Sequence, residues 1–153
     1  MRVWRIGERR HAASLDGEGA RRYGGRWNSR GVAVVYASES IALATLEALV
    51  HVDSNIIPRG LVLVAADIPA GVRIADLPDQ PALPKNWRRY PAPAALKAMG
   101  DHWVKGGKCA VLRVPSAIVP ESFNYLINPA HADAAKIGHA IERLFAFDSR
   151  MLQ

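Results

Sequence analysis

The chain has 153 residues, half of them hydrophobic and 22% charged, with a formal net charge of +6. That length gives one domain with room for a real core, and that composition excludes a disordered, fibrous or disulfide-stapled chain. The basic excess favours anionic partners without choosing among nucleic acid, nucleotides, phosphates and acidic proteins.

In chain order, "RVWRIG" opens as a short strand. The N-terminus holds no apolar stretch of signal-peptide length, and later runs such as "GLVLVAADI" are far short of a membrane span, so the expectation is a cytoplasmic protein. Residues 7–31 are rich in Gly and Arg and read as mostly loop. "VAVVYAS", residues 32–38, is apolar on both alternating faces and reads as a buried strand. "SESIALATLEALVHV" switches to a largely buried helix, with Ser38 or Ser40 as its cap. "GLVLVAADIP" is a second buried strand. The proline-rich residues 76–94 read as an extended excursion over the surface. "APAALKAMGDHWVKGG" is a helix closed by glycine. "KCAVLRVPS" is a strand, "ESFNYLINP" is strand then turn, and the tail "IERLFAFDSRML" reads as strand. Strands dominate, without regular βαβ alternation, so the fold class is α+β with mixed or antiparallel sheets in a single domain over residues 1–153.

Several motifs fail. "GEGARR" begins like a dinucleotide fingerprint, but Arg22 replaces the third glycine and the preceding strand is missing. The histidines have no metal-ligand spacing. Cys109, in "CAVLRV", reads as a buried small hydrophobe.

Four positions carry more. In residues 41–51 every side chain except Thr45, Glu47 and His51 is apolar. Glu47 falls near the arc of Leu43, Leu46 and Val50, so it either reaches a cleft or belongs to one narrow wet face. A carboxylate in a cleft must be paired, hydrogen-bonded or protonated, and His51 is an i,i+4 neighbour that could pair with it. Tyr36 ends a strand just before that helix. Arg26 follows a glycine pair in "RRYGGRWNSRG", where backbone can approach a ligand and a guanidinium can clamp a phosphate. Ser116 ends another strand and is fixed by Pro115. The same basic-aromatic stretch would also suit an RNA-binding module.

Taken together, "GGRWNSRGVAVVYASESIALATLEALVH", "VLRVPSAIVP", "NYLINPAH" and "FAFDSRML" resemble, in order, the blocks of the RES domain, the toxin half of bacterial RES–Xre toxin–antitoxin pairs. The resemblance covers about residues 3–152. The arginine, glutamate and serine for which the domain is named map to Arg26, Glu47 and Ser116, with Ser122 as the alternative serine, and Tyr36 matches the family's active-site tyrosine. The resemblance implies a fold similar to ADP-ribosyltransferase toxins, with NAD⁺ held in a cleft between sheets. It implies NAD⁺ as a substrate, consumed by hydrolysis, by phosphorolysis with phosphate as co-substrate, or by ADP-ribose transfer to a protein. Glu47 would stabilise the developing ribosyl cation, Arg26 would hold the pyrophosphate, and Tyr36 would wall the nicotinamide. Ser116 would hydrogen-bond the nicotinamide amide or ribose, and Arg5 would make a second phosphate contact. No metal and no prosthetic group is expected, since nicotinamide leaves as a neutral molecule. The implied partner is an Xre-type helix-turn-helix antitoxin that blocks the cleft in a higher-order complex, with no membrane and no direct nucleic-acid binding by this chain.

Overall fold

The computed structural model describes residues 1–53, 56, 58–77 and 82–153. In chain order it forms β1 (Arg2–Glu8), α1 (Arg9–Ala12), α2 (Glu18–Tyr23), β2 (Val35–Ser38), α3 (Ile41–Leu49), β3 (Leu61–Asp67), β4 (Ile74–Asp76), α4 (Ala94–Gly106), β5 (Val111–Pro115), β6 (Phe123–Ile127) and β7 (Gly138–Phe145). The strands make one seven-stranded mixed sheet in the order β4-β5-β6-β2-β1-β3-β7. Every neighbouring pair is antiparallel except β4 with β5. The expected α+β class with mixed strands is what the chain adopts.

Alternation along the strands gives the sheet two distinct faces. Val3, Val35, Ala37, Ala66, Val111 and Ile127 form one core with Ile68, Val72 and Ile137. The other face carries Leu112, Val114 and Leu126, which pack with Trp27 and with Leu96 of α4. Each such fully buried aliphatic side chain contributes about 1.5–3 kcal/mol. β3 lies inside the sheet with six of its seven residues buried, which is why its sequence shows no apolar–polar alternation. The close approach of α4 depends on Gly100, where a Cβ would stand 1.7 Å from the Trp27 carbonyl oxygen.

The junction between β1 and β2 is a single pair, Trp4 with Ser38. β1 pairs along its whole length with β3, while β2 pairs along its whole length with β6. The two halves of the sheet therefore part beyond this pair, and α3 packs against both β1 and β2 across the split. The cleft expected between two sheets is realised as a divergence within one.

Several local expectations differ from the structure. Within residues 7–31 lie two short helices, α1 and α2, the second held by Arg21 and Arg22 on Glu18. β2 begins at Val35 rather than residue 32, because the Val32 carbonyl is taken by the Asn28 side chain and the Val32 N–H closes a turn onto Ser29. α3 is less buried than its composition suggests: Leu43 and Ala44 are buried, but Val50 just beyond it is 59% exposed. Its cap is Ser40, which accepts from the Leu43 N–H, while Ser38 stays in the sheet. β4 was not expected, since three residues carry no readable period. Of the extended segment 76–94, residues 78–81 lie outside the described residues, and Leu83 and Trp87 pack onto the α4 core. The tail forms β7 and then a 3₁₀ turn at Ser149–Leu152.

Candidate active site

A cleft of about 200 Å³ opens where β1 and β2 part. Trp4, Arg5 and Ile6 line it from β1, Tyr36 from β2, Asn124 from β6, and Glu47 and His51 from the α3 side. A larger, shallower hollow of about 630 Å³ lies around Ser14, Asp16, Ala130 and His139. It holds none of Arg26, Tyr36, Glu47 and Ser116, so volume does not decide between the two.

Glu47 is half-buried, and one of its oxygens is doubly held. Oε1 accepts from Ser116 Oγ at 2.8 Å and from Asn124 Nδ2 at 2.6 Å. Oε2 has no hydrogen-bond partner among the described residues. The partner suggested by helical spacing, His51, lines the same cleft, but Glu47 turns to Ser116 and Asn124 instead. Ser116 is fully buried, and its hydroxyl also accepts the N–H groups of Ile118 and Val119, each at 3.1 Å. With its proton and both lone pairs engaged, this hydroxyl acts on Glu47 and has nothing left for a ligand. Ser122 contributes its carbonyl to the Ser116 N–H, so Ser116 is the serine that reaches Glu47.

The loop before β2 is organised by Tyr36 and Asn28. The Tyr36 hydroxyl donates to Asn28 Oδ1 at 2.7 Å and accepts the Trp27 N–H at 3.0 Å. Asn28 is fully buried, and its Nδ2 donates to the carbonyls of Ala20, Ser29 and Val32. Gly25 packs onto this pair so closely that a Cβ would lie 2.6 Å from the Tyr36 hydroxyl. Burial pushes the Tyr36 phenol well above the usual tyrosine range, so it stays a proton donor at neutral pH.

Arg26 projects from this loop, and its Nη1 donates to the carbonyls of Trp87 at 2.8 Å and Arg89 at 3.1 Å. Burial lowers its pKa and the field of Glu47 opposes that shift. The guanidinium is thus close enough to Glu47 to feel its charge, while it also ties down the segment that carries Trp87. Its remaining N–H groups have no partner among the described residues and can take an anion.

Arg5 lines the same cleft as Tyr36 and Glu47, but its charged end is held elsewhere. It alternates with Trp4 and shares its face with Val3, and its Nη1 donates to the Ser14 carbonyl at 3.1 Å, within the field of Asp16. The structure brings Arg26, Tyr36, Glu47 and Ser116 together, with Arg5 at the cleft wall and its guanidinium turned toward Ser14. The basic-aromatic stretch divides as well. Arg21 and Arg22 are paired with Glu18, whose carboxyl is pulled down to about 2 by those hydrogen bonds, and Trp27 is 2% exposed. Of the two aromatics in the stretch only Tyr23 is exposed, so the stretch itself presents one ring rather than a run of them. Among the described residues, no three His, Cys, Asp or Glu side chains are grouped to hold a metal ion, and no helix is long and apolar enough to cross a membrane.

Two members of the network, Asn124 and Ser38, escaped the sequence reading. The available signal was a polar residue two positions from Tyr36 in one strand and from Leu126 in another, on the same face, but the pairing of β2 with β6 is needed to see that they meet.

Comparison with known proteins places this arrangement. The family model described as "RES domain" matches residues 2–148. A protein of Sphingobium sp. (strain YBL2) named "Prs ADP-ribosylating toxin" is 43% identical over 143 residues, covering 93% of this chain and 89% of that protein. A "Toxin Res" of Yersinia enterocolitica is 37% identical over 154 residues, covering 99% of each. A "Toxin Res" of Pseudomonas putida is 37% identical over 153 residues, again covering 99% of each. In three dimensions the chain matches the crystal structure of the M. tuberculosis MbcT–MbcA toxin–antitoxin complex with a TM-score of 0.74 at 16% identity, covering 99% of this chain and 86% of that one, a likeness of fold. With a family match over nearly its whole length and relatives of this identity, the chain belongs to the RES domain family.

Proposed function

We propose that this protein is the toxin of a toxin–antitoxin pair and that it consumes NAD⁺ by cleaving the nicotinamide–ribose bond, with water or phosphate as acceptor. The observation that carries this reading is the Glu47 carboxylate in the cleft, anchored through one oxygen by Ser116 and Asn124, with the Tyr36 ring in the same cleft and Arg26 near enough to sense its charge.

Breaking the bond develops positive charge on the ribose, as in other glycosyl transfers. A fixed anion beside that centre is stabilising from the start and needs no reorganisation as the charge forms. Neutral donors hold Glu47, so its negative charge is not cancelled by an ion pair. Arg26 offers its unoccupied N–H groups to the pyrophosphate or to an attacking phosphate. The Tyr36 ring is an apolar wall for the nicotinamide. Ser116 serves this chemistry through Glu47. An Xre-type antitoxin that covers the cleft is the expected partner, and the solved structure that shares this fold is itself a toxin–antitoxin complex.

A second reading keeps the site and changes the acceptor to a protein side chain. The Sphingobium relative named as an ADP-ribosylating toxin favours it. Some transferases carry a second acid two positions before the catalytic one; that position is Thr45 here, and its hydroxyl is spent on the Ile41 carbonyl. Arginine-directed transfer is therefore disfavoured, and other acceptors are not.

Incubating the purified protein with NAD⁺, with and without phosphate, and analysing products by mass spectrometry tests the reading. Free nicotinamide with ADP-ribose or its phosphate ester supports NAD⁺ consumption, whereas a stoichiometrically modified protein in a lysate supports transfer. Glu47→Gln is expected to abolish nicotinamide release and growth arrest together. Unchanged turnover in that variant would sink the site assignment.

A further inference from the structure

β6 carries an asparagine where a core strand ordinarily carries an aliphatic residue. Asn124 sits opposite Ser38 of β2 on one side and Val114 of β5 on the other, on the sheet face that α3 covers. Its amide is used at both ends. Nδ2 donates to Glu47 Oε1 at 2.6 Å, and Oδ1 accepts from Ser38 Oγ at 2.7 Å. Ser38 is 4% exposed, so its hydroxyl has no ready alternative in water.

The two ends of an amide are not equivalent. Rotated by half a turn, Asn124 would press a carbonyl oxygen against a carboxylate oxygen. The Ser38 hydroxyl, donating to Oδ1, fixes the other orientation and aims the N–H at Glu47. Ser116 reaches the same Oε1 from a different element, the turn that follows β5. Two donors from two directions fix the carboxylate plane and leave Oε2 with no partner among the described residues. Both donors are neutral, so they stabilise the anion without cancelling its field.

We propose that Asn124, oriented by Ser38, is a positioning residue that holds the Glu47 carboxylate in a fixed orientation in the cleft. This rests on reading Glu47 as the catalytic carboxylate. The titratable or charged groups around Glu47 are Arg5 from β1, Arg26 from the loop before β2, Tyr36 from β2 and His51 just beyond the C-terminus of α3. None of them is altered by changing Asn124.

The test uses the full chain and two readouts. Carboxyl-detected NMR, with Glu47 assigned through Glu47→Gln, reports the setting of the Glu47 carboxylate, and a steady-state assay separates kcat from KM. Asn124→Ala is expected to lower kcat by about 10- to 100-fold, the worth of one hydrogen bond to a charged group, with KM changed by less than about threefold. Ser38→Ala keeps the amide but removes the hydroxyl that orients it, so it is expected to shift the Glu47 carboxyl resonance and lower kcat by a smaller factor, and the double variant is expected to lose no more than Asn124→Ala alone. A residue that merely supports the fold would leave the Glu47 resonance in place. An unshifted Glu47 resonance in Ser38→Ala, or additive losses in the double variant, overturns the proposal, and Ser38→Ala remains informative even if Asn124→Ala does not fold. If the resonance shifts but wild-type protein releases no nicotinamide from NAD⁺, positioning stands and the proposed function falls.

Discussion

The Ser116 hydroxyl donates to Glu47 Oε1 at 2.8 Å and joins positions 69 residues apart in the chain. Ser116 Oγ also accepts the N–H groups of Ile118 and Val119. One buried hydroxyl therefore closes the turn after β5 and anchors the carboxylate of α3. In Ser116→Ala those two N–H groups lose their acceptor and Glu47 loses a donor. The expected cost is about 1–3 kcal/mol, a fall in Tm of about 3–10 °C for a chain of this size. Nicotinamide release should fall by about tenfold or more. Thermal denaturation and the NAD⁺ assay, run on the same preparation, check both.

Arg26 holds two backbone carbonyls with one amino group and keeps three further N–H groups in a planar fork, whereas a lysine holding both carbonyls would keep one. Arg26→Lys is expected to raise KM for NAD⁺ by about tenfold and to expose the segment around Arg88 and Arg89 to trypsin. Limited proteolysis followed by mass mapping of the first cut reads the second effect. A cut pattern identical to wild type would remove the tether from the account.

Gly100 leaves no room for a methyl group. With a Cβ 1.7 Å from the Trp27 carbonyl oxygen, Gly100→Ala must shift α4 away from the loop that bears Arg26. The expected loss is at the upper end of the overpacking range, about 3 kcal/mol or more. Gly106→Ala, where nothing lies within 4 Å of the added Cβ, is the matched control in the same helix and is expected to retain the wild-type melting temperature within a few degrees. Chemical denaturation of the pair measures the difference.

Tyr36 gives a pH signature. Burial raises its folded-state pKa above that of an unfolded phenol, which is about 10. Below that pH both states keep the proton and Tyr36 adds no pH dependence. Above it the unfolded chain releases the proton first, so folded stability declines by about 1.4 kcal/mol per pH unit until the folded pKa is reached. Tyr36→Phe removes this decline and also the hydrogen bonds to Asn28 and Trp27. The stability gap between wild type and Tyr36→Phe should be constant from about pH 6 to 9 and shrink above about pH 10. Urea denaturation across that range measures it, and a gap independent of pH would contradict a buried, neutral phenol.

The sequence by itself determined the elements whose cause is local. An unbroken apolar run made β3 an interior strand, Ser40 set the start of α3, and Gly107 closed α4 with a left-handed backbone. It also singled out Arg26, Tyr36, Glu47 and Ser116 as candidates, because family blocks are strings of residues in order. Tertiary structure decided how those residues are used. Strand pairing brought Asn124 and Ser38 together, and a turn aimed Ser116 at Glu47 instead of at open space. Strand alternation turned the Arg5 guanidinium to the Ser14 carbonyl, although Arg5 and its neighbour Trp4 both line the cleft. Glu47 had a plausible partner one helical turn away in His51 and took others 69 and 77 residues distant. The physical reason is the range of the interactions. Capping, helical spacing and apolar period act over a few residues and can be read along the chain. Hydrogen bonds inside a cleft depend on which strands part and which helix spans the gap, and that is fixed only when the whole sheet forms.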